Sequence, residues 1–167
     1  PHDLSWQAGD LAQLRLRDDP SHPREYSIAS LPHEGRLQLL VRQHRREDGS
    51  LGLASGWLTE RAALGDTVEL RLSEHHNFRI GDNARRPLLL IGNGTGLAGL
   101  RAHLKARATQ AEPSRNWLIF GERQAAHDAF YADEIAEWKA QGVLERADLV
   151  YSRDGGPTRY VQDRLRE

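Results

Sequence analysis

The sequence predicts two domains in tandem, an antiparallel β-barrel followed by a doubly wound parallel α/β sheet. Three observations carry this. Residues 1–83 hold short alternating segments punctuated by turn signals, and residues 84–167 hold unbroken apolar runs followed by helical spacing. The rhythm changes at "GDNARRP".

In the first half, Leu11 to Leu16, Tyr26 to Ala29, Leu37 to Val41 and Val68 to Leu72 read as strands, separated by "DDPSHP", "HEG", "REDGS" and "LGD". One helical turn is expected after "LGLAS". Within "REYSIAS", alternation sets Arg24, Tyr26 and Ile28 on one side of an extended strand and Glu25, Ser27 and Ala29 on the other. A cation, an aromatic plate and a small hydroxyl this close together suit a flat, phosphate-bearing ligand.

In the second half, Leu88 to Ile91 lacks alternation and reads as a parallel strand covered on both faces. "GLAGLRAHLKAR" follows as a helix, with Leu97, Leu100 and Leu104 at helical spacing and basic residues toward the end that suits them. "NWLIFG" is a second buried strand. "DAFYADEIAEWKAQG" is a second helix, with Asp128 as cap, a stripe of Tyr131, Ile135 and Trp138, and Gly142 as its stop. "DLVYS" is a third strand and "RYVQDRLRE" the start of another helix.

The bulk properties exclude several classes. A formal net charge of −1 over 167 residues, with the two signs interspersed, does not favour nucleic acid or an anionic membrane as partner. No apolar run approaches a membrane span and no signal-peptide pattern is visible, so the expected location is cytoplasmic, with membrane contact only through an anchor in a longer parent. The absence of cysteine removes disulfides, thiolate metal sites and cysteine nucleophiles.

Three stretches bear chemistry. "IGNGTGLAG" joins a buried strand to a helix, where Gly92, Gly94 and Gly96 permit close approach, Thr95 adds a hydroxyl, and the helix end receives a phosphate. Its spacing matches neither G-x-G-x-x-G nor the P-loop, and a simple tight turn is the competing reading. "GLASGW" is a second glycine-and-serine helix entry, in which Ser55 could bind phosphate or merely cap the helix. A nucleophile elbow fails there because position 53 is leucine. "SRDGGPTRY" sets Ser152, Arg153, Arg159 and Tyr160 past the third strand, at the edge where such sheets bind ligands, with a solvated basic loop as the alternative. The histidines read as core or surface residues, and adjacent His75 and His76 point apart, against a shared metal site. Glu134 and Glu137 read as a solvated helix face.

In this order, "REYSIAS", "GLASGW", "IGNGTGLAGLRAHLKAR", "NWLIFGER" and "SRD…YVQDRLRE" resemble the FAD- and NADP-binding half of ferredoxin–NADP reductase-type flavoproteins, closest to the sulfite reductase flavoprotein and diflavin reductase branch. The resemblance implies Arg24 at the FAD pyrophosphate, Tyr26 on the isoalloxazine ring and Ser27 beside its reactive central-ring nitrogen. It implies Leu40, Val41 and Arg42 against the FAD, and Gly52, Leu53, Ala54 and Ser55 capping the pyrophosphate. It implies Gly92, Gly94, Thr95 and Gly96 for the NADP pyrophosphate, Ser152 and Arg153 for the 2′-phosphate, Arg159 one place beyond the usual lysine, and Tyr160 and Gln162 near the adenosine. Asn93 and Gly99 stand where many members have proline. The expected function is NADPH-dependent flavin oxidoreduction, with hydride passing from NADP(H) to FAD and electrons passing singly to a sulfite-reducing haemoprotein, a flavodoxin-like domain or a haem partner. A flavin- or nucleotide-binding module without turnover is the alternative. The resemblance also implies barrel strands before this chain, and after it a strand bearing a cysteine and a terminal aromatic that shields the flavin.

Overall fold

The computed structural model describes residues 5–111 and 115–166, which fall into two compact units divided between Arg79 and Ile80. The first contains β1 (Leu11–Leu16), β2 (Asp19–Ser27), the short helix α1 (Leu53–Gly56) and β3 (Glu69–Ser73). The strands pair antiparallel in the order β2-β1-β3. Alternation in β1 buries Ala12 and Leu14, and Ala12 joins Trp6 and Ile28 in a core that Leu37, Leu39 and Leu72 extend.

Among the described residues this unit is a three-stranded sheet rather than a closed barrel. The strand expected at Leu37 to Val41 survives only as an isolated bridge between Ile28 and Leu39. Ser30 explains the loss: its hydroxyl accepts the Gln38 N–H (2.9 Å) and donates to the Arg36 carbonyl (2.9 Å), taking groups that a ladder would use. β2, conversely, is longer than expected and runs back through Pro20 and Pro23. It lies at the end of the sheet, where a residue without an N–H is tolerated.

A buried carboxylate ties the ends of this unit together. Asp10 takes both Nε and Nη2 of Arg79 (2.7 Å each) and accepts the N–H groups of Gln7 (2.8 Å) and His75 (3.1 Å). Burial alone would raise its pKa, but the guanidinium and the two amides outweigh it and hold the carboxyl below its ordinary value. Gly9 makes the approach possible, since its φ is +102° and a Cβ there would lie 2.7 Å from the Phe78 carbonyl oxygen. His75 and His76 are in the turn after β3, where His75 stacks on Phe78 and His76 meets Glu74 at 3.1 Å.

The second unit contains β4 (Leu88–Asn93), α2 (Leu97–Ala108), β5 (Asn116–Glu122), α3 (Ala125–Asp128), α4 (Ala132–Ala140), β6 (Arg146–Tyr151) and α5 (Val161–Arg166). Its strands are parallel in the order β4-β5-β6. α2 packs on one face, where a Cβ on Gly92 would meet Leu100 at 2.8 Å, and Val161 of α5 packs on the other, against Ile119 and Val150. That second face is only partly covered. Leu89 and Ile91 of β4 stay 49% and 42% exposed, so β4 is not buried on both sides as its apolar run suggested.

α2 is buried nearly all round, and Arg107 near its end does more than answer the helix dipole. Its guanidinium donates to Asn116 Oδ1 (3.1 Å), the Arg86 carbonyl (2.6 Å) and the Ala84 carbonyl, and burial pushes its pKa below the ordinary value. The second predicted helix is broken in two. Ala129 leaves the helical region and Tyr131 turns left-handed (φ 55°), so Tyr131 rather than Asp128 precedes α4. Asp128 instead accepts the Gln124 N–H (3.0 Å) at α3. Gly142 (φ 76°) stops α4 as expected. Glu134 is not a solvated residue: it grips both Nε (2.8 Å) and Nη2 (2.5 Å) of buried Arg101, whose guanidinium lies 4.3 Å over the Tyr131 ring. Glu137 does face solvent and accepts from Gln141 (2.8 Å).

Candidate functional site

In the first unit the candidate residues lie on β2 and around α1. Arg24 is paired with Leu14 and Tyr26 with Ala12, so both share a face with the core residues of β1. Burial grades along that face, from Ile28 in the core through half-buried Tyr26 to exposed Arg24. Burial raises the Tyr26 phenol pKa, with the Arg24 charge opposing it. Neither the Tyr26 nor the Ser27 hydroxyl has a hydrogen-bond partner among the described residues. Leu40 and Val41 are half-buried and Arg42 is exposed, beyond the single bridge at Leu39.

Gly52 to Ser55 enter α1, which continues into a π-helical turn, Trp57–Arg61. No side chain caps this entry. Ser55 is buried, and its hydroxyl oxygen accepts the His44 N–H at 3.0 Å, so it anchors the preceding loop. A cavity of about 750 Å³ opens along Leu53, Trp57 and Arg61, facing Arg15 and Arg17. Of the predicted residues only Leu53 lines it; Arg24, Tyr26 and Ser27 do not.

In the second unit the candidates gather at the carboxyl edge of the parallel sheet. β4 ends at Asn93, Gly94 turns at φ +59°, and Gly94–Gly96 form a 3-10 turn into α2 with no side-chain cap. The first amides of a twelve-residue helix and the unpartnered Thr95 hydroxyl thus stand at this edge. Beyond β5 and β6 the backbone stays in register: the Ser152 N–H donates to the Glu122 carbonyl (2.9 Å) and the Arg153 N–H to the Arg123 carbonyl (2.8 Å). That pairing makes Arg123 and Arg153 neighbours. The Asp154 carboxylate accepts the Ala125 N–H (2.9 Å), docking the loop onto α3.

Arg123, Arg153 and Arg159 are exposed and their guanidinium groups have no partner among the described residues. Arg101 is engaged by Glu134, Arg115 by Glu145 and Arg146 by Asp148, whereas exposed Arg85 and Arg86, before β4, are like Arg123, Arg153 and Arg159 in having no guanidinium partner among the described residues. Arg159 and exposed Tyr160 precede α5, where both N–H groups donate to Asp163 (3.2 and 3.1 Å), and Gln162 is exposed on its first turn. Arg123 escaped the sequence reading. Only its place one residue past a buried strand, beside a loop already bearing arginine, could have signalled it.

The oxidoreductase NAD-binding domain family matches residues 90–167. The sulfite reductase [NADPH] flavoprotein alpha-components of Mannheimia succiniciproducens and Escherichia coli O157:H7 are 35% and 37% identical over 153 residues, 89% of this chain and 26% of each relative. The chain is similar to flavoproteins of the ferredoxin–NADP reductase type. It spans about a quarter of the length of the curated relatives it matches. The reductase fold extends through both units: ferredoxin-NADP+ reductase from Plasmodium falciparum covers 97% of this chain with a TM-score of 0.82 at 18% identity, and the same enzyme with 2'P-AMP covers 98% with 0.83, each over about two thirds of the solved chain.

Proposed function

We propose that this chain is the core of an NADPH-dependent flavin oxidoreductase, in which hydride passes from NADPH to FAD and electrons then leave singly to a protein acceptor. The observation that carries the reading is the carboxyl edge of the second unit, where the uncapped start of α2 stands with the unpartnered Arg123, Arg153 and Arg159. Such an edge fits a ligand bearing a diphosphate and a further phosphate, and the likeness to NADPH-named relatives supports NADP(H).

The proposed roles follow from that. Gly92, Gly94, Thr95 and Gly96 receive the NADP pyrophosphate with Arg123 beside them, Ser152 and Arg153 take the 2′-phosphate with Arg159, and Tyr160 and Gln162 meet the adenosine. The first unit is then the FAD-binding barrel half: Arg24 takes the FAD pyrophosphate with Gly52, Leu53, Ala54 and Ser55, Tyr26 stacks on the isoalloxazine, and Leu40, Val41 and Arg42 flank it. The unpartnered hydroxyl of Ser27 supplies the hydrogen bond at the flavin's central ring. Bound FAD supplies the conversion of a two-electron hydride into single electrons. The relatives' names favour a sulfite-reducing haemoprotein as acceptor, with a flavodoxin-like domain serving the same chemistry.

The test is the visible spectrum of the purified chain with FAD, before and after anaerobic NADPH. Flavin bands that form and then bleach support the reading. Bands that persist reduce it to a flavin-binding module, and failure to bind FAD refutes it for this chain.

A further inference from the structure

Arg24 is not held as a regular strand would hold it. Leu14 pairs with Arg24 and Leu16 with Asp19, so two steps along β1 are matched by five along β2. The excess residues between them, two of them prolines, bulge from the edge strand. The bulge folds Asp19 back onto Arg24. One carboxylate oxygen of Asp19 accepts from Arg24 Nη2 (3.4 Å), while Nη1 donates to the His22 carbonyl. The other oxygen meets His22 Nδ1 at 2.7 Å and the Ser21 hydroxyl at 3.5 Å. Asp19 is largely buried at its side chain, His22 is exposed, and Arg24 is nearly half exposed. These bonds use two of the five guanidinium N–H donors and leave the others for a ligand.

We propose that Asp19 is the positioning residue for Arg24: the proline-framed bulge holds the guanidinium ready for a diphosphate. The proposal rests on the reading of Arg24 as the pyrophosphate clamp. Ordering the guanidinium before the ligand arrives lowers the entropy lost on binding. The ionisable groups of β2 on this side are Asp19, His22, Arg24 and Tyr26; β1 brings Leu14 and Leu16 opposite, and Arg17 and Asp18 form the turn. His22 Nδ1, 2.7 Å from the other Asp19 oxygen, holds the carboxylate in that place.

The experiment titrates the chain with FAD and, separately, inorganic pyrophosphate at pH 8, in wild type, Asp19→Asn and Asp19→Glu. Asp19→Asn is expected to raise both dissociation constants about three- to tenfold. Asp19→Glu recovers part of that loss. Unchanged or tighter binding in Asp19→Asn overturns the proposal. Wild type that binds pyrophosphate but not FAD, with Asp19→Asn still weaker, upholds the positioning role and refutes the flavin reading. FAD bound equally by wild type and Asp19→Asn does the reverse, and binding of neither ligand refutes both.

Discussion

Replacing Glu134 by alanine removes the carboxylate that holds both ends of the Arg101 fork, and leaves a guanidinium only 5% exposed without its bidentate partner. An exposed ion pair contributes at most about 1 kcal/mol, whereas breaking a buried one from one side costs about 3–5 kcal/mol. The Glu134 side chain is 33% exposed, so water reaches the vacated side, and about 2–3 kcal/mol is expected. The same arginine lies over Tyr131, a left-handed non-glycine residue whose conformation costs about 1–2 kcal/mol, so the loss should also loosen the start of α4. At roughly 4–8 °C per kcal/mol for a unit of this size, the melting temperature should fall by about 10–20 °C. Urea unfolding followed by far-UV circular dichroism measures the free-energy loss, with Glu137→Ala, on the exposed face of the same helix, as the control expected within about 0.5 kcal/mol of wild type. If Glu134→Ala matches Glu137→Ala, the buried-pair argument is wrong and the helix face is solvated after all.

Ser27→Ala should leave FAD bound and slow its reduction about ten- to a hundredfold in stopped flow, because one donor to developing charge is lost; an unchanged rate removes the assignment. Arg153→Ala should weaken NADPH about ten- to a hundredfold through loss of charge-assisted bonds to a phosphate that NADH lacks, with NADH within about twofold, and equal losses would sink the 2′-phosphate role. Asp10 gives a pH signature: its folded pKa lies below the unfolded value, so its stabilisation is present above about pH 4 and fades as pH falls through the folded pKa. Asp10→Asn should therefore be less stable at neutral pH with a flatter acid limb below about pH 4, and parallel pH profiles would refute the linkage.

Periodicity served where each element contributes its own face to the core. The β1 alternation, the spacing of Leu97, Leu100 and Leu104, and the Gly142 stop are local facts that local sequence records. It failed where a distant group overrode the pattern. Ser30 diverts the hydrogen bonds of the Leu37 to Val41 segment, Tyr131 breaks a helix that composition alone would continue, and β4 keeps one apolar face exposed although its run of leucines resembles a buried strand. "DDPSHP" read as a turn because of its two prolines, yet an edge strand accepts them and turns their constraint into a bulge.

The sequence offered candidate residues at its glycines and at Arg24, Ser152 and Arg153, but not the distinction between arginines that serve the fold and arginines open to a ligand. The chain has nearly equal numbers of basic and acidic residues, 23 and 24, so the sequence cannot say which cations are matched. The structure separates them by what each meets. Arg79 and Arg101 end on carboxylates inside their units, and Arg107 on carbonyls and an amide. Among the described residues, Arg123 and Arg153 stand unpartnered at a sheet edge beside a helix start. Arg24 is intermediate, with two donors held and the rest open. A guanidinium fully engaged by the protein must break bonds to bind an anion, and one wholly free must be ordered first. Partial engagement avoids both costs, so on the proposed reading the carboxylate behind Arg24 serves the site rather than competing for it.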